Sequence, residues 1–126
     1  MKLNTLLGVW AVVGVVFGLG FFLVPAMVMA QYGPGTPSTN EIELGRLLGA
    51  SYLGYAILAW LARGIADTDA RRKIVLINFV VTVLSLALFL KTTLVEGAST
   101  GPNWFNVVLM GLFVIGFGYF YLTKRE

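Results

Sequence analysis

The sequence predicts an all-α integral membrane fold, with four transmembrane helices in an up-down antiparallel bundle. Of its 126 residues, 58% are hydrophobic and 12% are charged, which is about half the charged fraction of a typical soluble domain. Four long runs without a charged residue are separated by short polar segments. A spanning helix needs about 20 mostly apolar residues, and fewer when long charged side chains flank it. The runs cover residues 3–30, 47–62, 74–90 and 104–122.

The expected organisation is a single domain over residues 1–126, with helices at about 3–30, 41–63, 68–95 and 103–123. Short connections make consecutive helices antiparallel neighbours. A cleaved signal peptide is the alternative for the first run. That run is longer than a signal-peptide core of about 7–15 residues and follows only one basic residue, so we expect a retained helix.

Basic residues are distributed unevenly between the two sides that this topology creates. Seven fall at the N-terminus, in the second connection and at the C-terminus, whereas two, Arg46 and Lys91, fall on the other side. Cytoplasmic segments carry the Lys/Arg excess, so we expect both termini in the cytoplasm. The seven are Lys2, Arg63, Arg71, Arg72, Lys73, Lys124 and Arg125.

Capping residues indicate where two of the helices begin. Asn40, followed three residues later by Glu43, is expected to be the N-cap of the second helix. Asp67 or Thr68 is expected to cap the third helix.

Small residues recur at four-residue spacing and indicate close helix packing. The pattern occurs once in the first run and twice in the second helix. One interpretation is packing within the bundle, and the other is a homodimer or a docking face for a larger partner. The glycines concerned are Gly14, Gly18, Gly45, Gly49 and Gly54.

A polar stripe runs along the third helix, where helical spacing places Asn78, Thr82, Ser85 and Thr92 on one side. It is interpreted either as the lining of a ligand or ion path, or as hydrogen bonding within the bundle. The second interpretation is favoured because hydroxyl groups can bond to their own helix backbone.

A charged group is predicted at the outer ends of the helices, formed by Arg46, Lys91, Glu43 and Glu96. Arg46, helped by Lys91, is the candidate for binding an anionic headgroup or a small acidic ligand. The alternative is an ion pair from Arg46 to Glu43 at i−3, or to Glu96.

Residue types limit the chemistry of the chain itself. It contains no Cys and no His, and every acidic residue lies outside the four runs. Thiol chemistry, His-ligated haem and the usual zinc sites are therefore excluded, and a proton relay through a buried carboxylate is not expected. No cofactor is predicted from its own residues, and contact with a quinone, lipid or pigment remains open. The aromatic candidates for such a pocket are Trp10, Phe17, Phe21, Phe22, Tyr52 and Tyr55.

The segment Glu43 to Gly54, ELGRLLGASYLG, followed by Trp60 and Arg63, resembles the DoxX-like group of small bacterial four-helix membrane proteins. The resemblance covers the hydropathy layout of the whole chain, but at residue level only this one helix. It implies a four-helix bundle in the bacterial inner membrane, and some members are linked to redox or quinone-associated complexes. It carries no catalytic residue set. Small fluoride channels and multidrug exporters have first-helix motifs that this chain lacks.

Two functions follow as expectations. The first is a non-catalytic accessory subunit that packs in or stabilises a larger membrane complex, or forms a homo-oligomer, with lipids around it and no nucleic acid. The alternative is a lipid, quinone or small-ligand binding or transport protein that uses the Arg46/Lys91 region. An enzyme is less expected, because it would need a cofactor from elsewhere.

Overall fold

A computed structural model describes residues 2–32, 35–95, 97 and 101–123. These residues form helices and contain no strand. The elements are α1 (Leu3–Leu23), α2 (Pro25–Ala30), α3 (Thr39–Ala62), α4 (Thr68–Leu90), a π-helical turn (Lys91–Val95) and α5 (Gly101–Thr123). Four segments are long and apolar enough to cross a membrane: Leu3–Leu23, Thr39–Ala62, Thr68–Val95 and Gly101–Thr123. By length and apolar composition, the prediction of four helices able to span a membrane is confirmed.

The first apolar run is two helices rather than the single predicted helix over 3–30. Val24, between α1 and α2, has a φ of −132° and a ψ of 55°, outside the helical region. Pro25 follows as the first residue of α2, and a proline ring disfavours helical geometry at the preceding residue. Proline also has no N–H to donate, so it suits the first position of a new helix.

Helix α3 begins earlier than predicted, and Ser38 is its N-cap rather than Asn40. The Ser38 hydroxyl accepts a hydrogen bond from the Glu41 N–H at 3.2 Å, and the Glu41 carboxylate accepts one from the Ser38 N–H at 3.4 Å. The sequence holds two overlapping capping-box patterns, Ser38/Glu41 and Asn40/Glu43, and the structure uses the first. Of the two expected caps of α4, Asp67 and Thr68, the structure uses Asp67.

The chain divides into two compact units. One, here the α1–α3 unit, comprises Leu7–Arg63, and the other, the α4–α5 unit, comprises Met1–Leu6 with Gly64–Glu126. The prediction of one domain over the whole chain stays a prediction.

In the α1–α3 unit, glycines allow two backbones to approach closely. A Cβ on Gly49 would lie 2.6 Å from the Gly18 carbonyl oxygen and 2.6 Å from the Phe22 amide nitrogen. A Cβ on Gly14 would lie 2.9 Å from that of Ala56. All three distances are too short for real atoms, so the contact requires glycine at positions 14 and 49. Close packing of this kind holds helices together where lipid removes the hydrophobic driving force.

In the α4–α5 unit, aromatic rings fill the contact between α4 and α5. A Cβ on Gly118 would lie 3.0 Å from the Phe79 ring, so the ring packs directly on the backbone of α5. The rings of Phe113 and Phe117 are stacked with their centroids 6.1 Å apart. The buried aromatic side chains of α5 are Phe113, Phe117 and Phe120.

We predict opposite effects for two glycine-to-alanine changes in α3. Gly49→Ala should lower the thermal stability of the purified protein, because overpacking against fixed backbone atoms costs about 1–3 kcal/mol. Gly54→Ala is the matched control: its Cβ meets no atom within 4 Å, and alanine favours a helix over glycine by up to about 1 kcal/mol. Thermal unfolding in mild detergent measures both. Equal stability of the two variants would contradict the close contact.

A second prediction concerns the beginning of α3. Ser38→Ala should destabilise the protein by about 1 kcal/mol, because it removes the acceptor of the capping hydrogen bond. Asn40→Ala should have little effect, because Asn40 lies inside the first turn. The same unfolding measurement distinguishes the two residues, and a larger loss for Asn40→Ala would show that α3 begins later.

Candidate functional site

The structure brings together two of the four residues predicted at the outer charged group. The guanidinium of Arg46 forms an ion pair with the carboxylate of Glu43, one turn earlier on α3. Lys91 is exposed and opens the π-helical turn in the other unit, and Glu96 lies outside the described residues. The local ion pair, the alternative expected from the sequence, is the arrangement that the structure contains.

This ion pair is exposed to the surroundings. The side chains of Arg46 and Glu43 are 48% and 60% accessible. Exposed pairs contribute at most about 1 kcal/mol, so Glu43 does not hold Arg46 tightly. An anionic ligand at Arg46 would nevertheless have to compete with a carboxylate that is already in place.

The polar stripe on α4 bonds mostly to its own backbone. Asn78 and Thr82 are buried, with 2% and 0% of their surface accessible. The Asn78 amide donates to the Ile74 carbonyl oxygen at 3.1 Å, and the Thr82 hydroxyl lies 2.9 Å from the carbonyl oxygens of Asn78 and Phe79. Ser85 is half-buried. These contacts favour a role in packing over the lining of a ligand path.

The last member of the stripe is displaced by the π-helical turn. Thr92 is half-buried, whereas its neighbour Thr93 is fully buried. A π-helical turn has i→i+5 hydrogen bonds and therefore more residues per turn than an α-helix. Each residue then advances through a smaller angle, which brings Thr93 onto the buried side in place of Thr92. Uniform helical spacing could not have indicated this.

Two further buried polar residues were not among the predicted site residues. Asn103 and Asn106 in the first turns of α5 are 4% and 3% accessible. Their i, i+3 spacing puts them on one side of the helix, and this spacing was the available signal. The π-helical turn contacts α5 in the same unit.

The basic residues of the first turns of α4 have partners within the α4–α5 unit. Arg71 donates a hydrogen bond to the Asn4 side chain, and Lys73 forms an ion pair with Asp69 at 3.0 Å. The Arg72 guanidinium carbon lies 5.0 Å from the centroid of the Tyr121 ring. The half-buried Arg71 and Arg72 therefore serve packing as well as carrying positive charge, whereas Lys73 is exposed.

The α1–α3 unit has an open apolar groove of about 350 Å³ on its surface. The predicted aromatic candidates do not line it, and its one aromatic residue is Trp60. Of those candidates, Phe21 and Tyr52 contact each other, with ring centroids 6.1 Å apart. The groove is lined by Ala11, Val12, Val15, Val16, Ala56, Ile57, Trp60 and Leu61.

Metal ligation is not indicated in the part of the chain that the structure describes. Those residues contain no group of three or more His, Cys, Asp or Glu side chains able to hold a metal ion.

The four apolar spans and their charge-free interiors define a multi-pass α-helical membrane protein. The chain belongs to the family described as Domain of unknown function (DUF8292), whose model matches residues 1–122. No curated protein and no solved structure matches it. The resemblance to the DoxX-like group stays a prediction.

Substitution of the two threonines of the π-helical turn tests whether this turn is present. Thr93→Leu should lower the thermal stability by about 1–3 kcal/mol, because it inserts a larger side chain where no space is available. Thr92→Leu makes the same exchange at a half-buried position and should change stability by less than about 1 kcal/mol. The reverse order in thermal unfolding would mean that α4 continues as a regular α-helix.

Proposed function

We propose that this protein is a small non-catalytic membrane subunit that packs against a helix of a larger membrane complex. The observation that carries the proposal is an exposed small-residue face on α3, formed by Ala50, Ser51 and Gly54. A Cβ on Gly54 would meet no atom within 4 Å. Gly45 and Gly49, earlier on the same helix, are buried against residues of α1 and α2.

The physical argument concerns the cost of glycine in a helix. Glycine is less favourable than alanine by about 1 kcal/mol in a helix interior, and a lipid-facing position gains nothing from it. Small residues on a membrane helix do allow a second helix to approach closely. Leu47 and Leu58, on the same side of α3, are also exposed and would flank such a contact.

The non-catalytic part of the proposal is supported by where the charges lie. Residues 47–62, 74–90 and 104–122 contain no charged side chain. Ionisable residues at membrane depth are the usual sign of a substrate or proton path. The Asn78 and Thr82 contacts with their own helix backbone agree with a packing role for the polar stripe.

The proposal includes an up-down antiparallel bundle in a bacterial inner membrane, with both termini in the cytoplasm. One series of contacts supports antiparallel neighbours: in the α1–α3 unit Gly14 is close to Ala56 and Gly18 to Gly49, so the residue number rises along α1 as it falls along α3. The Lys/Arg distribution supports the orientation.

Ligand binding at the Arg46/Lys91 region remains the second hypothesis. Its support is the partial exposure of Arg46, and the Glu43 carboxylate beside the guanidinium weakens it.

The test is purification in mild detergent from the native host at natural expression. We predict that the wild-type protein is part of an assembly larger than the single chain, and that Gly54→Leu lowers the recovered assembly by about tenfold because a branched side chain blocks close approach. Gly111→Leu on α5 is the matched control, since a Cβ there also meets no atom within 4 Å. Thermal unfolding of both variants checks that they are folded.

Migration of the wild-type protein as a single chain would overturn the proposal. An assembly that survives Gly54→Leu as well as it survives Gly111→Leu would also overturn it.

A further inference from the structure

The groove of the α1–α3 unit has a positive charge at one end. Trp60 lines the groove, and the guanidinium carbon of Arg63 lies 4.4 Å from the centroid of the Trp60 ring. The side chain of Arg63 also passes close to α1, because a Cβ on Gly8 would lie 3.7 Å from its Nε. The Arg63 side chain thus lies against both helices that form the groove. Its neighbour on α1 is Gly8, one turn before the groove residues Ala11 and Val12.

Arg63 differs from Arg46, Arg71 and Lys73 in what surrounds it, and it shares an aromatic contact with Arg72, whose guanidinium lies over the Tyr121 ring. Arg46 is paired with Glu43, Lys73 with Asp69, and Arg71 is bonded to Asn4. Arg63 contacts no carboxylate within the described ranges, and its side chain packs on the face of Trp60. Stacking on an aromatic ring orients a guanidinium and leaves its N–H groups able to donate to an anion, which they match best when it is a phosphate or carboxylate.

We propose that the groove and Arg63 bind one anionic glycerophospholipid. One acyl chain occupies the groove, and the headgroup phosphate accepts hydrogen bonds from Arg63. The groove is lined by apolar side chains, as an acyl chain requires, and within the described residues the charge placed beside it, that of Arg63, is positive. Charge complementarity therefore selects an anionic amphiphile over a neutral one.

The length of the proposed site, Arg63 together with the groove, agrees with one acyl chain and its headgroup. The groove itself extends from Ala11 to Val16 on α1, and from Gly8, beside Arg63, to Val16 is about 12 Å at 1.5 Å per residue. One leaflet of the hydrocarbon core is about 15 Å deep, half of the ~30 Å bilayer core. An acyl chain anchored at Arg63 would therefore follow the groove through most of one leaflet.

This site is separate from the proposed partner contact. Ala50, Ser51 and Gly54 do not line the groove, so the lipid proposal does not depend on the accessory-subunit proposal. Each can fail without the other.

The experiment is native mass spectrometry of the full-length protein, released from mixed vesicles of phosphatidylcholine and phosphatidylglycerol. We expect the wild-type protein to retain one phosphatidylglycerol. Arg63→Gln should weaken this binding by about tenfold, because it removes the charged hydrogen-bond donor to the headgroup phosphate. Val16→Trp, which fills the groove from an exposed position, should weaken it to a similar extent, and Val12→Trp serves as a second filling variant.

Matched controls separate this site from general attraction to the membrane. Lys73→Gln removes one positive charge from an exposed residue that is already paired with Asp69, and Leu19→Trp adds the same ring at an exposed α1 position that does not line the groove. Both should bind phosphatidylglycerol as the wild-type protein does. Thermal unfolding without added lipid checks that all variants are folded.

Three outcomes would overturn the proposal. The first is equal retention of phosphatidylcholine and phosphatidylglycerol by the wild-type protein. The second is wild-type binding by Arg63→Gln or by both groove-filling variants. The third is a dimer that Val16→Trp abolishes, which would assign the groove to a second copy of the chain.

Discussion

Backbone N–H and C=O groups at membrane depth have no water to bond, so each must be satisfied within the protein. Helices meet this requirement locally, and the four spanning segments follow from it. Once the backbone is satisfied, lipid offers apolar side chains almost as good an environment as the protein interior does. Helix association must then come from close packing. The strongest example of close packing among the described residues is the contact between Gly18 and Gly49. There the two backbones leave less room than one methyl group needs.

The same requirement explains how the polar residues of the spans are used. Thr82 is fully buried, and its hydroxyl bonds to carbonyl groups of its own helix. Asn78 does the same one turn earlier. Such bonds satisfy a polar side chain without a partner on another helix. A polar stripe in a sequence is therefore weak evidence for a ligand path, and its bonding has to be known before it is assigned a function.

The two ends of α3 carry their positive charge in different ways. Arg46 near the first end has a carboxylate beside it, so its charge is balanced locally. Arg63 at the other end has an aromatic face beside it and an apolar groove next to that face. Both arginines were visible in the sequence, and Arg46 was the residue singled out. The groove is what makes Arg63 the better candidate for an anionic lipid.

The sequence by itself determined the all-α membrane class and the four candidate spans, and it limited the cap of α4 to Asp67 or Thr68. Each depends on local chemistry: apolar length, the absence of charge, and a side-chain oxygen three residues before a backbone N–H. From the sequence, Asn40 is the expected cap of α3 and five packing glycines have equal standing; only the structure shows Ser38 as the cap and separates the glycines. Gly49 is buried and Gly54 is open because helix contacts depend on rotation and distance, which spacing does not encode. The π-helical turn and the groove beside Arg63 likewise became known only from the tertiary structure.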